Sequence, residues 1–218
     1  MGKANLKLVA PASVNRAVAL RRPSNKDMRP REYLTKAEIG RIIKAAKNNR
    51  RGLRDSTMIL VGYTHGLRVS ELISLQWSDI SFEDATLHIR RAKGGVTGSH
   101  PLRGDEKRAL RALQRHAKGT WVFETERGGP FTTAGFASLI ERASEQAKIG
   151  FKVHPHMLRH SAGYAAINAD VGVRDLQDFL GHKSITAPRA MLRSPAGGLN
   201  PSWTGCSRRS QKRTNVLA

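Results

Sequence analysis

The stretch "ATLHIRRAKGGVTGSHPL", residues 85–102, interrupts an otherwise helical pattern and decides the fold class. Apolar and polar residues alternate along it, Leu87 and Ile89 against His88 and Arg90. That is the two-residue period of a strand with one buried face. Gly94, Gly95 and Gly98 then break the run into a hairpin-like loop.

Helical patterns lie on both sides of this stretch. In "YLTKAEIGRIIKAAKNNR" (33–50), Thr35 and Glu38 have the spacing of a capping box. Ile39, Ile42, Ile43 and Ala46 follow at helical spacing and mark a buried face. A second helix is expected over 54–64, stopped by Gly66, and a short third one in "RVSELISL" (68–75), with Leu72 and Leu75 facing inward. Further helices are expected over 104–117 and 132–148, separated by a short strand-like "WVF" (121–123). Others are expected from Pro155 to about Asn168 and over 173–180. The fold class is therefore mainly α with a small antiparallel β element, that is, α+β, without internal repeats.

The charge is lopsided. Across 218 residues, 38 Lys and Arg stand against 17 Asp and Glu, a net of +21. Residues 1–31 carry +7 and residues 187–218 carry +6, yet the middle, 32–186, still carries +8. Such an excess suits a polyphosphate surface. The only cysteine is Cys206, which excludes a disulfide framework and a cysteine-based zinc site. No apolar run approaches the roughly 20 residues of a membrane span, and no signal-peptide core is apparent. A cytoplasmic setting without membrane partners is expected.

One set of residues carries chemistry: Arg68, Lys93, His156, Arg159 and His182. Two arginines can grip the non-bridging oxygens of a phosphodiester and stabilise the charge that grows in its transition state. Histidines can donate to the same phosphate or move a proton near neutral pH. A lysine on a glycine-rich loop can protonate a departing 5′ oxygen. Cationic side chains replace a metal, so no cofactor is required. Taken singly each has a plain explanation: Arg68 a surface arginine, Lys93 a solvated turn lysine, His182 a helix cap. His156 and His160 share a helix face as zinc ligands sometimes do, but a nearby acid to complete a site is missing.

Taken together, "THGLRVSELISLQWSDI" (64–80), "HPHMLRHSAG" (154–163) and "LGHKSI" (180–185) resemble the catalytic domain of the tyrosine recombinases, the phage-integrase family. The resemblance covers about residues 32–186. "HPHMLRHS", the "SHPL" after the hairpin and the shortness of the chain are most similar to the fimbrial phase-variation invertases. The resemblance implies site-specific DNA recombination on double-stranded DNA. It assigns phosphate binding to Arg68 and Arg159, acid–base work to His156, a phosphate hydrogen bond to His182 and general-acid work to Lys93. It gives His160 a buttressing place. It also implies a homo-oligomer on DNA, a tetramer in the family.

The family's nucleophile departs from the pattern. A tyrosine is expected near residues 190–192, where the chain reads Ala190, Met191 and Leu192. The three tyrosines, Tyr33, Tyr63 and Tyr164, all precede His182 and read as packing residues, with Tyr164 a remote substitute. From residue 187 onward helical and strand periods are both lost, and a shift of reading frame past Thr186 would account for both departures. Three regions are thus expected: a flexible basic arm (1–31), a catalytic domain (32–186) and a non-family basic tail (187–218), disordered or out of frame. The expected protein binds DNA but does not cleave it. Two other readings stand beside this one: a non-catalytic DNA-binding regulator occupying recombination sites, and a basic RNA-binding protein. The scarcity of aromatics for stacking bases counts against the second.

Overall fold

The computed structural model describes residues 31–91 and 98–181. The chain divides into two units, Met1–Pro30 and Arg31–Ala218, and all the described residues belong to the second. Seven helices of the second unit are α1 (Lys36–Lys47), α2 (Gly52–Thr64), α3 (Val69–Ile73), α4 (Gly104–Gln114), α5 (Thr133–Gln146), α6 (Pro155–Ile167) and α7 (Val173–Leu180). Between α3 and α4 lies a three-stranded antiparallel sheet in the order β1 (Ile80–Ser81), β2 (Thr86–Ile89), β3 (Gly98–Pro101). The mainly helical class with a small antiparallel sheet is what the sequence led us to expect.

Local chemistry explains the element ends. At α1 the capping box forms as expected: Thr35 Oγ1 accepts from the Glu38 N–H, and the Glu38 carboxylate accepts from the Thr35 N–H at 2.8 Å. Thr132 caps α5 in the same way, accepting from the Gly135 N–H at 3.0 Å. Proline opens α6, where its missing N–H costs nothing. Gly181 closes α7 in the left-handed region, at φ 60°.

In the sheet, the register places Leu87 opposite His100 and Ile89 opposite Gly98. Leu87 and Ile89 are buried while His88 and Arg90 are exposed, as the alternation requires. Gly94, Gly95 and Lys93 lie outside the described residues, and Gly98 opens β3. The sequence did not announce β1.

Two expectations need correction. "WVF" is not a strand: Trp121 forms one isolated bridge with Gln76, and the Val122 N–H donates to the Leu75 carbonyl at 2.9 Å. Val122 and Phe123 are both buried in succession, so there is no alternating face on which a sheet could grow. The fourth helix ends at Gln114 instead of 117, because Arg115 to Lys118 are exposed and have no face to bury. The remaining helices agree to within two residues.

The core is continuous. Ile39, Ile42 and Ala46 of α1 meet Met58, Ile59 and Val61 of α2, and Phe136, Leu139 and Ile140 of α5 complete the cluster with Met157 and Leu158 of α6. A side cluster of Ala166, Leu176 and Leu180 ties α7 to the end of α6. Gly66 makes this docking feasible. It sits at φ 58°, and a Cβ there would lie 2.8 Å from the Leu180 Cδ2.

Candidate active site

The site is built where the α2–α3 turn, the N-terminal half of α6 and the end of α7 converge. Arg68 is the residue before α3. The Glu71 carboxylate of that helix accepts from the Arg68 backbone N–H at 2.8 Å and from its Nη1 at 2.7 Å. The Arg68 side chain is 40% exposed, so its guanidinium is oriented from beneath and open above.

Arg159 comes from α6 and is buried. It donates through Nη1 to the Gly66 carbonyl and through Nη2 to the Leu180 carbonyl, both at 2.5 Å. Its Nη1 also lies 4.0 Å from the Glu71 carboxylate. Burial, with Arg68 as the next cause, pushes its pKa down to about 10, while Glu71 works in the opposite direction. Arg68 and Arg159, 91 positions apart in the sequence, are thus joined around one carboxylate.

His156 lies in the first turn of α6, three residues before Arg159, and is exposed. His160, one position further on, is half-buried; burial holds it below the ordinary imidazole range, with Glu32 opposing and His156 and Arg159 reinforcing. Lys93 and His182 lie outside the described residues, as does Met191. Among the described residues no group of His, Cys, Asp and Glu could hold a metal ion. The Tyr33 and Tyr164 rings stack on one another, centroids 4.1 Å apart, and Tyr63 packs against the core.

Two residues of the site went unnoticed in the sequence. Glu71 stands three positions after Arg68, the spacing of a helix-entry carboxylate, and that spacing was the available signal. Arg91 is the other. It follows Leu87 and Ile89 on the buried side of the two-residue alternation, so the period itself points it inward. It is only 8% exposed and donates through Nη2 to the Phe179 carbonyl at 2.7 Å, while its Nε and Nη1 have no acceptor among the described residues. Burial pushes its pKa below the ordinary guanidinium value, with Glu71 opposing and Arg68 reinforcing.

Behind Arg91 lies a buried polar layer. His100 of β3 stacks on Phe179 at 4.7 Å and tilts against His65 at 5.4 Å. His65 Nε2 is 3.2 Å from the buried Glu106 Oε1, although the two are not aligned as a hydrogen bond.

Comparison with known proteins fits this arrangement. The model of the phage integrase family matches residues 32–190. The chain belongs to that family, the tyrosine recombinases. The type 1 fimbriae regulatory protein FimB of Escherichia coli K12 is 34% identical over 183 residues, covering 81% of this chain and 92% of FimB. FimE of the same strain is 34% identical over 166 residues, covering 72% and 83%. Among solved structures, XerA recombinase superposes with a TM-score of 0.68 at 25% identity, over 75% of this chain and 60% of that one. A lambda integrase dimer bound to a COC′ core site matches in fold, with a TM-score of 0.64 at 22% identity, over 77% and 50%. By family the chain falls among the site-specific tyrosine recombinases, next to the fimbrial invertases.

Proposed function

We propose that this chain binds duplex DNA by gripping a backbone phosphodiester with Arg68 and Arg159, and that it does so without cutting the strand. The observation that carries the reading is the convergence of those two guanidinia on Glu71, one buried and one open above. Bidentate donors fixed in this way match the non-bridging oxygens of a phosphate and stabilise the extra charge of a pentavalent state. His156 stands beside them on α6, and Lys93 and His182 take the general-acid and phosphate-donor roles that family membership suggests. The lambda integrase match, bound to its core site, supports DNA as the partner.

In a recombinase of this family a tyrosine oxygen attacks phosphorus, and a 3′-phosphotyrosine bond forms as the 5′ oxygen leaves with a proton from the lysine. Ala190, Met191 and Leu192 offer no such oxygen where it is needed, and the sequence after His182 contains no tyrosine. Tyr33 and Tyr164, stacked on each other, are committed to packing. The chain is therefore cleavage-deficient and occupies recombination sites as a binding protein.

The test selects tight-binding duplexes from a random library and then offers the selected duplex with a nick. Retarded duplex without an SDS-stable protein–DNA adduct is the expected result, with weaker retention by Arg68→Ala and Arg159→Ala. An adduct would overturn the cleavage-deficient reading. Absence of duplex binding would overturn the whole proposal.

A further inference from the structure

We propose that Arg91 is a positioning residue of the phosphate site: its buried charge, acting through Arg68 and Arg159, strengthens the binding of an anion that Arg91 itself does not touch. The proposal rests on the reading of the site as a phosphodiester clamp, and concerns the residue that sets the strength of that clamp.

Arg91 is a costly residue. A buried guanidinium needs acceptors for its five N–H groups, and among the described residues this one has a single carbonyl, that of Phe179, at 2.7 Å. Nε and Nη1 are sealed from solvent without a partner among the described residues. The guanidinium lies so close under Gly181 that a Cβ on that residue would fall inside it. Neutral side chains would satisfy the Phe179 carbonyl at lower cost, so holding the end of α7 does not by itself account for an arginine.

Charge accounts for it. Arg68 Nη1 lies 2.7 Å and Arg159 Nη1 4.0 Å from the Glu71 carboxylate, and Arg91 and Arg159 donate to the adjacent carbonyls of Phe179 and Leu180. Among the described residues Glu71 is the carboxylate whose field acts on both buried arginines. Three positive groups against one negative leave the cluster with an uncompensated excess of two. That excess is unfavourable in the free protein and becomes favourable when an anion arrives above Arg68, where the cluster opens to solvent. Buried in a medium of lower dielectric, the Arg91 charge is felt at the anion more strongly than a surface lysine would be. The sequence tethers the same residue to both ends of the catalytic set: Arg91 is two positions before Lys93, and Gly181, which it supports, is one before His182.

The experiment compares the wild-type chain with Arg91→Lys and Arg91→Gln. The lysine keeps the charge and loses the fork, whereas the glutamine keeps a donor and loses the charge. Three readouts are taken: the unfolding midpoint in phosphate-free buffer, the rise of that midpoint with inorganic phosphate, and the affinity for duplex DNA. Arg91→Gln is expected to be at least as stable as wild type without phosphate, yet to gain less than about half of the wild-type rise on its addition. Its affinity for duplex falls about tenfold, between the screened and unscreened limits for one charge out of contact. Arg91→Lys retains most of both responses.

Equal phosphate responses and equal duplex affinity in wild type and Arg91→Gln would overturn the proposal. So would a parallel loss in Lys and Gln variants with lowered midpoints in phosphate-free buffer, which would make Arg91 a packing residue only. Failure of the wild-type chain to bind duplex sinks the DNA reading instead, and the phosphate arm still reports on Arg91.

Discussion

Glu71 Oε2 faces Arg159 Nη1 at 4.0 Å, while the other oxygen of the same carboxylate holds Arg68 Nη1 at 2.7 Å. One buried acid thereby joins the α2–α3 turn to α6. Its position shows how two like charges are kept close together in the free protein: Glu71 offsets part of the repulsion that Arg68 exerts on Arg159.

Replacing Glu71 by glutamine tests that account. An amide oxygen can still accept from the Arg68 backbone N–H, so the entry to α3 survives, but the guanidinia lose their counter-charge. A fully buried pair broken in this way costs roughly 3–5 kcal/mol. With the Arg68 side chain 40% exposed, the expected loss is nearer about 2 kcal/mol. Chemical denaturation at neutral pH measures it, and a change below about 0.5 kcal/mol would rule the account out.

His100 sets an acid limit on stability. Burial, then the fields of His65 and Arg91, pushes it from 6.5 down to about 3. The unfolded chain therefore takes up a proton that the folded one refuses. This contribution is complete above about pH 6.5 and is lost as the pH falls towards 3. The expected slope is about 1.4 kcal/mol per pH unit from this one group. Denaturation curves collected from pH 7 to pH 4 should show that slope in the wild-type chain and lack it in His100→Gln.

Gly181 carries two constraints at once. Its φ of 60° costs an alanine about 1–2 kcal/mol, and a Cβ would also enter the Arg91 guanidinium. Gly181→Ala is expected to destabilise the chain by more than the backbone cost alone. Adding Arg91→Ala should return part of that loss. Strict additivity of the two substitutions in a double-mutant cycle would refute a steric conflict between them.

Ser161 fastens the chain segment before α1 to the helix that carries Arg159. Its hydroxyl accepts from the Leu34 N–H at 2.7 Å and donates to the Met157 carbonyl at 2.6 Å, fully buried. Ser161→Ala leaves the Leu34 N–H without an acceptor, at a cost of about 1–3 kcal/mol. Hydrogen exchange at Leu34 should accelerate in that variant well beyond the global change; an unaltered rate would mean that the bond contributes nothing.

The sequence by itself determined most of the elements and nominated the candidate set. Period-two alternation at Leu87–Arg90, helical spacing at Ile39–Ala46, the Thr35–Glu38 capping box and the glycine stop at Gly66 are local patterns, written in neighbouring residues. The motifs around Arg68, His156 and Arg159 were legible because each is short and contiguous. It fell short where long-range packing overrode local pattern: "WVF" reads as a strand, but Val122 and Phe123 are both buried and only Trp121 finds a bridge partner. Only the tertiary structure decided that Arg68 and Arg159 share Glu71, and that Arg91 lies beneath Gly181 on the Phe179 carbonyl. Those relations depend on distance and burial between segments up to about 90 positions apart. Desolvation turns ordinary arginines into a coupled cluster, and a linear pattern holds no record of it.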